Sequence, residues 1–281
     1  KMPSSTSAVS KSKQTKKKSR QKAKNSTQQV PIIPSRILLL KYQQYHSHLD
    51  EFAKHYHNIR SFLDLAAENP FYGRANATGA KAKALMGLKH TFELVSFDQS
   101  IYDNNLGELR EKYQWSMISN VTSFLTDVSH CAKNLIHLYT LMRNHEVKSI
   151  SHDCLTPVRG WNNDALYVAG ISTKVYSSKQ PRKWITTDAI LKPIETLKKI
   201  STILSPHIQN PENYLLLSPA AHPASSVKAA KNNIVTNSEL DLRLAPVLIT
   251  EEDIQELETI EPLRDWRNDR RFMVGKRWIT T

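Results

Sequence analysis

Apolar and aromatic side chains recur every three or four residues early in the chain, and this spacing predicts one long helix. The positions follow a 4-3-4-3-4-3-4 pattern and are Leu38, Tyr42, Tyr45, Leu49, Phe52, Tyr56, Ile59 and Leu63. Ser35 can cap the start and Asn69-Pro70 stops the pattern, so we place the helix at about 35–68. The heptad would also suit a coiled-coil dimer, but its seam holds four aromatic residues, where a two-stranded coil prefers Ile, Val and Leu. We therefore favour packing inside a helical domain.

A second helical pattern runs from about 106 to 145. Its repeating positions are Leu109, Tyr113, Met117, Val121, Phe124, Val128, Cys131, Leu135, Leu138 and Met142. Because this is too long for an average globular helix, we expect a break or kink near Ser116–Asn120. With only 7 glycines in 281 residues, the chain is poor in the residue that tight turns and phosphate loops need. The prediction is a mainly α fold with minor β structure, built around these two elements.

Shorter elements are predicted elsewhere. Residues 80–95 favour a short helix, and residues 164–178 favour either a β-hairpin or an extended arm on a neighbouring chain. Thr187 caps a helix that ends before Pro206. Leu240, Leu242 and Leu244 alternate as in a short strand, and Thr250 opens an acidic helix at about 251–261 as a capping box.

The organisation that follows has three parts. Residues 1–29 form a basic arm, residues 30–204 form the helical body, and residues 205–281 form an extension. Within the extension, 205–238 is an irregular, proline-rich stretch, a type of segment that is usually functional or contacts a partner.

The positive charge is concentrated at the start of the chain. Of a net charge of +13, nine cations lie in residues 1–29, which contain no Asp or Glu, so +4 remains for residues 30–281. These nine are Lys1, Lys11, Lys13, Lys16, Lys17, Lys18, Arg20, Lys22 and Lys24. With Val9 as its main aliphatic residue, the arm cannot repay the entropy of folding, so we expect it to be disordered when free.

Three interpretations of the arm stay open. The favoured one is sequence-independent, salt-sensitive binding of nucleic acid through Lys11 to Lys24, because lysines release counterions from phosphates. The second is a nuclear or nucleolar address, since Lys16-Lys17-Lys18-Ser19-Arg20 suits a basic targeting cluster. The third is a solvated tail or an organelle presequence, although a presequence would be Arg-rich and amphipathic.

A second basic stretch combines arginine with aromatic residues near residue 281. Its candidate contact residues are Arg264, Trp266, Arg267, Arg270, Arg271, Phe272, Arg277 and Trp278. This composition suits phosphate contact with base stacking. It also suits a protein–protein interface, or core packing of the rings beneath solvated arginines.

No enzyme motif is present. The sequence has no Gly-x-Gly-x-x-Gly, no Walker loop and no Gly-x-Ser-x-Gly elbow. Ser151-His152-Asp153 are only neighbours in sequence, and His130-Cys131 and His152-x-Cys154 lack the paired spacing of a structural zinc site. His46, His48, His55 and His57 lie off the heptad seam and are expected on a solvated or interface face. We therefore predict no catalysis, no cofactor and no metal site.

Cysteine content and the lack of long apolar runs indicate the cellular compartment. Two cysteines, Cys131 and Cys154, suit free thiols in a reducing compartment. No apolar run approaches a membrane span, and no apolar stretch follows the basic N-terminal residues as in a signal peptide.

The plan of a Lys-rich arm at 1–29, helices at 35–68 and 106–145 and an arm-like stretch at 205–238 resembles a viral coat protein. The similarity is to capsid proteins of bisegmented double-stranded RNA viruses, the partitivirus and cryspovirus group. It implies helix-rich subunits that pair as dimers, close a shell and face an RNA genome with disordered arms, in the virion or the host cytoplasm. A ribosomal or chromatin-associated protein, located in the nucleus or nucleolus, also fits. A nucleic-acid-processing enzyme is the third class.

Overall fold

In the computed structural model, residues 32–74, 87, 91–158, 165–172, 180–225 and 244–278 are described. Their seven α-helices are α1 (Ser35–Glu68), α2 (Phe97–Asp103), α3 (Gly107–Tyr113), α4 (Ser119–Thr140), α5 (Asn144–Val147), α6 (Leu191–Leu204) and α7 (Glu251–Ile260). The described residues also form three strands, β1 (Leu155–Pro157), β2 (Ala165–Ser172) and β3 (Gln180–Thr187). Short 3₁₀ turns lie at Asp188–Ile190, Ser205–His207 and Pro219–Ala221. The prediction of a mainly α fold is confirmed for these residues.

Helix α1 has the predicted bounds, but its buried face is shifted. From Tyr45 onward the heptad positions are buried, whereas Leu38 is 38% and Tyr42 36% exposed. Their expected place is taken by Ile37 and Lys41, which are buried. Ser35 is the first helical residue rather than a cap, and its hydroxyl donates to Glu256. The first turn of α1 therefore packs against a different part of the chain from the rest of the helix.

The predicted break in the second helical segment is confirmed. Helix α3 ends where Gln114 adopts a left-handed φ of 52°. The side-chain oxygen of Asn120 then accepts the backbone N–H groups of Ser116 and Met117 at 3.0 and 2.9 Å. Helix α4 ends earlier than expected, because Leu141 takes a φ of 57° directly after Thr140.

Helix α4 is the centre of the main hydrophobic core. Helices α1 and α6, strand β3 and the Pro219–Ala221 turn all pack against it. Small side chains such as Ser129 and Ala132 are buried on faces that the heptad left outside the core, and they let neighbouring elements approach closely.

The three strands form an antiparallel sheet in the order β1-β2-β3. Register pairs Leu155 with Val168 and Tyr167 with Ile185. For residues 164–178, where a hairpin or an extended arm was predicted, the described part is the single strand 165–172, and its hairpin partner lies beyond the predicted range. Residues 180–187, which had no assigned element, supply the second strand.

Residues 205–225 do not behave as an extension. Ile208, Leu215, Leu216, Leu217 and Ala224 belong to the main core, so their prolines mark turns on the body and not a free arm. The predicted helix at 80–95 lies largely outside the described residues, and Phe92 and Val95 are not helical. The predicted strand at Leu240–Leu244 also lies outside them, except for Leu244, which is buried.

A second, smaller core joins the first turn of α1 to residues 247–278, here called the C-terminal module. Its buried members are Ile37, Ile249, Ile254, Leu257, Trp266, Phe272 and Trp278. Residues 247–249 pair with 275–278 through hydrogen bonds such as Trp278 N–H to the Val247 carbonyl at 2.8 Å. Among the described helices, none combines the length and apolar composition needed to cross a membrane.

Candidate nucleic-acid interface

The predicted phosphate-binding cations, Lys11 to Lys24, lie outside the described residues, but the point where their segment joins the body is described. Ile33 packs against the second core. The Ser35 N–H donates to the two carboxylate oxygens of Glu256 at 3.0 and 3.1 Å, and its hydroxyl adds a bond of 2.6 Å. The base of the basic segment is therefore fixed to helix α7, 221 residues away along the chain.

The next residue forms a two-point contact with the same helix. Arg36 donates from Nε and Nη2 to the two oxygens of Asp253 at 3.1 and 2.5 Å. Asp253 is 1% exposed and also accepts the Thr250 N–H at 2.8 Å, which closes the predicted capping box of α7. Burial alone would raise the pKa of Asp253, but hydrogen bonds from Arg36 and Thr250 outweigh it and hold the pKa below its usual range.

The aromatic residues of the second basic stretch are packed inside the protein. Trp266 and Trp278 are 1% and 2% exposed, and Phe272 lies between them with ring centroids at 5.3 and 5.1 Å. Of the three alternatives for this stretch, core packing describes its rings. They are not available for base stacking in this conformation.

The arginines of this stretch are largely matched by carboxylates. Arg267 contacts Glu251 and Glu258 at 2.7 and 2.8 Å. Arg271 donates to Asp269 and lowers its pKa to about 2, and Arg264 lies over the Trp266 ring at 4.0 Å. Residues 247–278 contain six cations and eight carboxylates, so the C-terminal module has no excess positive charge to attract phosphate.

A surface chain of hydrogen bonds was missed by sequence reasoning. Lys192 on α6 contacts Asp50 at 2.6 Å and His46 Nδ1 at 3.3 Å, while His46 Nε2 lies 2.8 Å from the Tyr139 hydroxyl. Tyr139 in turn donates to the Tyr42 hydroxyl at 3.4 Å. The only signal in the sequence was that residues 42, 46 and 50 form one stripe at four-residue spacing.

These hydrogen bonds determine which ring nitrogen of His46 carries the proton. An ammonium group can only donate, so Nδ1 of His46 accepts from Lys192 and Nε2 carries the proton that is donated to Tyr139. Burial, and then the charge of Lys192, lowers the pKa of His46, in keeping with a neutral ring. Burial and the Tyr42 hydroxyl raise the pKa of Tyr139. Both groups stay uncharged at neutral pH.

Residues considered for catalysis are separated in the structure. His152 Nε2 lies 2.9 Å from Ser201 Oγ, whereas Ser151 forms a backbone bridge with Tyr214. Burial raises the pKa of the Cys154 thiol to about 11, which disfavours the reactive thiolate. His55, expected on a solvated face, is buried beside Glu108. Among the described residues, no three His, Cys, Asp or Glu side chains are grouped as metal ligands.

Comparisons with protein-family models, with curated proteins and with solved structures found no match to this chain.

Proposed function

We propose that this chain is a structural protein that binds nucleic acid, with RNA favoured, through residues 1–29 and self-associates into a shell as a viral capsid or nucleocapsid protein. The observation that carries the proposal is the segregation of charge. Residues 1–29 hold nine cations and no carboxylate, whereas residues 30–281 carry only +4. Contacts made by lysine with phosphate are insensitive to base sequence, which suits packaging of a whole genome.

The attachment of the basic segment supports the same proposal. Its base is fixed by the bonds of Ser35 and Arg36 to Glu256 and Asp253, which leaves the cations tethered at a defined point of the body. If many copies are arranged with these points facing inward, their segments share one cavity and their joint charge offsets the self-repulsion of the enclosed phosphates. The proposed place of action is the virion or the host cytoplasm, and the proposed role is structural and not enzymatic.

The salt dependence of binding tests the role of the basic segment. Binding of a single-stranded RNA oligonucleotide is measured by fluorescence anisotropy between about 50 and 300 mM KCl. Because each phosphate contact contributes about 0.7 to the slope of log K against log salt for single strands, K17Q/K18Q should lower the slope by about 1.4. The matched control is R182Q/K183Q on β3, where both side chains are exposed, and it should leave the slope unchanged.

Removal of residues 1–29 gives the stronger test. We expect the melting temperature to stay nearly unchanged and the salt-sensitive RNA binding to be lost. A truncated protein that unfolds, or that binds RNA as before, would overturn the proposal for the arm.

Size tests the proposal for assembly. Chromatography with light scattering should give a megadalton particle with excess absorbance at 260 nm. A monomer of 32.1 kDa that binds one defined RNA or DNA site would instead support a ribosomal or chromatin-associated role.

A further inference from the structure

A buried histidine lies where three distant parts of the chain meet. His222 is 2% exposed and belongs to residues 219–225, here called the His222 turn. Its ring packs edge-to-face against that of His207, in the 3₁₀ turn after α6, with centroids 4.6 Å apart and planes at 83°. Arg74, which follows α1, donates to the carbonyl of Pro223 at 2.7 Å. The His222 turn therefore joins the segments that follow α1 and α6.

The hydrogen bonds of the ring require it to be neutral. Nδ1 of His222 accepts the Ala224 N–H at 3.0 Å, so the single proton of the ring is on Nε2. A protonated imidazole carries N–H groups at both nitrogens. Its Nδ1–H would face the Ala224 N–H, donor against donor, and this hydrogen bond would be lost. Protonation of His222 is therefore incompatible with the observed conformation of the turn.

The other ring nitrogen weakens the closed turn even while the ring is neutral. The Nε2–H group of His222 is buried and has no hydrogen-bond acceptor among the described residues. A buried donor without an acceptor costs about 1–3 kcal/mol of stability. The turn is held by packing on α4, by the burial of Ala224 in the main core and by the bond from Arg74 to Pro223. A segment of this size can open while the rest of the body stays folded.

The groups around His222 oppose a positive charge on its ring. Arg74 and His207 both act on the ring and disfavour its protonation. Arg74 bonds the carbonyls of Pro70 and Pro223, and no described carboxylate pairs with it. Helix α4, on which the turn packs, contributes no group that acts on the ring. The titratable side chains of α4 are Asp127, His130, Cys131, Lys133 and His137. A proton on His222 would therefore meet like charge without a compensating carboxylate.

We propose that the His222 turn is an acid-sensitive contact, closed at neutral pH and released when His222 takes up a proton. Release breaks the bond from Arg74 to Pro223 and uncovers Ala224, while the rest of the main core stays folded. In the open turn, water accepts from Nε2–H and from the Ala224 N–H. Neither RNA binding nor self-association is needed for this response.

The size of the effect follows from linkage between proton binding and opening. Burial, followed by His207 and Arg74, lowers the pKa of His222 to about 3 in the closed turn, against about 6.5 for a solvated imidazole. Because the open form binds the proton more tightly, acid favours opening below about pH 6.5. Between pH 7 and pH 5 the opening equilibrium should rise about 25-fold.

Hydrogen–deuterium exchange of the full chain at pH 7 and pH 5 tests the proposal, with rates divided by those of unstructured peptides at each pH. The amides to follow are those bonded within the turn, which are Ala221, His222, Ala224 and Ser225. They should exchange faster than those of α4 and respond little to low concentrations of urea, because a local opening exposes little surface. Their corrected rates should rise about 25-fold at pH 5.

Two variants identify the group that takes up the proton. H222Q keeps a polar side chain that cannot be protonated, so the corrected rates of the turn should be the same at both pH values. The matched control is H57Q, because His57 is exposed on α1, and it should keep the full response of the wild type.

Three results would overturn the proposal. Corrected rates that do not change with pH in the wild type mean that the turn does not respond to acid. An equal rise in H222Q means that another group takes up the proton. If the turn exchanges at the rate of α4 and with the same dependence on urea, acid unfolds the whole core and releases no separate segment. This last comparison needs only the wild type, so it decides even where H222Q fails to fold.

Discussion

Replacing Asp253 with asparagine should release the C-terminal module from the start of α1. Asp253 is the only described residue that joins the capping box of α7 to Arg36, because it accepts from both Thr250 and the Arg36 guanidinium. Asparagine has nearly the same shape but carries no charge and keeps a single acceptor oxygen. Its amide N–H₂ would also face the donors of Arg36.

The magnitude follows from the burial of the two partners. Breaking a fully buried ion pair by removing one partner costs about 3–5 kcal/mol. Here Asp253 is buried, but the Arg36 side chain is 39% exposed and recovers water when its partner is lost. We therefore expect about 2–3 kcal/mol, which corresponds to roughly a 30- to 150-fold change in an opening equilibrium.

Hydrogen–deuterium exchange measures where this energy is lost. Because the second core has its own hydrophobic cluster, amides in 247–278 should exchange roughly 30- to 150-fold faster while those of α4 stay protected. The control E258Q removes an exposed partner of Arg267 and should leave both regions unchanged. Unchanged exchange in the module, or equal acceleration in α4, would refute the view that this contact holds a separable unit.

Acidity should act on the same contact. The pKa of Asp253 lies below its unfolded value of about 3.9, so its stabilisation is present above that value and is lost as pH falls through the folded pKa. The difference between wild type and D253N should therefore shrink below about pH 4.

Two further predictions concern the main core. In G170A, the new Cβ would lie 2.8 Å from Met142 Cε and 3.2 Å from the Glu146 carbonyl, so the free energy of unfolding measured in urea should fall by about 1–2 kcal/mol. The control G107A has open space around the new Cβ and should leave this free energy unchanged. Equal stability of the two variants would contradict the packing described. Burial lowers the pKa of His222 to about 3 from the ordinary 6.5, so the unfolded chain takes up a proton first and the stability due to the neutral ring is lost as pH falls below about 6.5. In H222Q, the loss of stability between pH 7 and pH 5 should be smaller than in the wild type by about 2 kcal/mol, and identical losses would show that the ring is not buried in its neutral form.

The helices were predictable to the extent that their apolar residues are periodic. The end of α1 follows from Asn69-Pro70, and the break before α4 follows from the excessive length of the pattern. The face of α1 at its first turn was not predictable. Its local period favours Leu38, whereas the structure buries Ile37 against residues more than 200 positions away, and periodicity contains no information about such distant partners.

At the candidate site, too, contacts between residues far apart in sequence could not be predicted. Charge counting favoured residues 1–29 as the partner of phosphate and left phosphate contact as one of three alternatives for the second basic stretch. The structure disfavours phosphate contact by the stretch near Trp266, because carboxylates such as Glu251 and Glu258 pair with its arginines and its rings are buried. The pairing of Lys192 with Asp50 and His46 joins two helices far apart in sequence, and no spacing within α6 indicates it.

The contact between α1 and α7 sets an order for folding during synthesis. When α1 leaves the ribosome, Arg36 and Ile37 have no partners, because Asp253 and Trp278 are translated more than 200 residues later. Contacts of such large sequence separation close late, after the local helices of the body. During most of translation the basic segment is therefore attached to a frayed helix end, and it gains a fixed base only when the second core closes. A chain interrupted before residue 253 would keep the lysines of residues 1–29 but lose the Asp253 contact that fixes Arg36 at the start of α1.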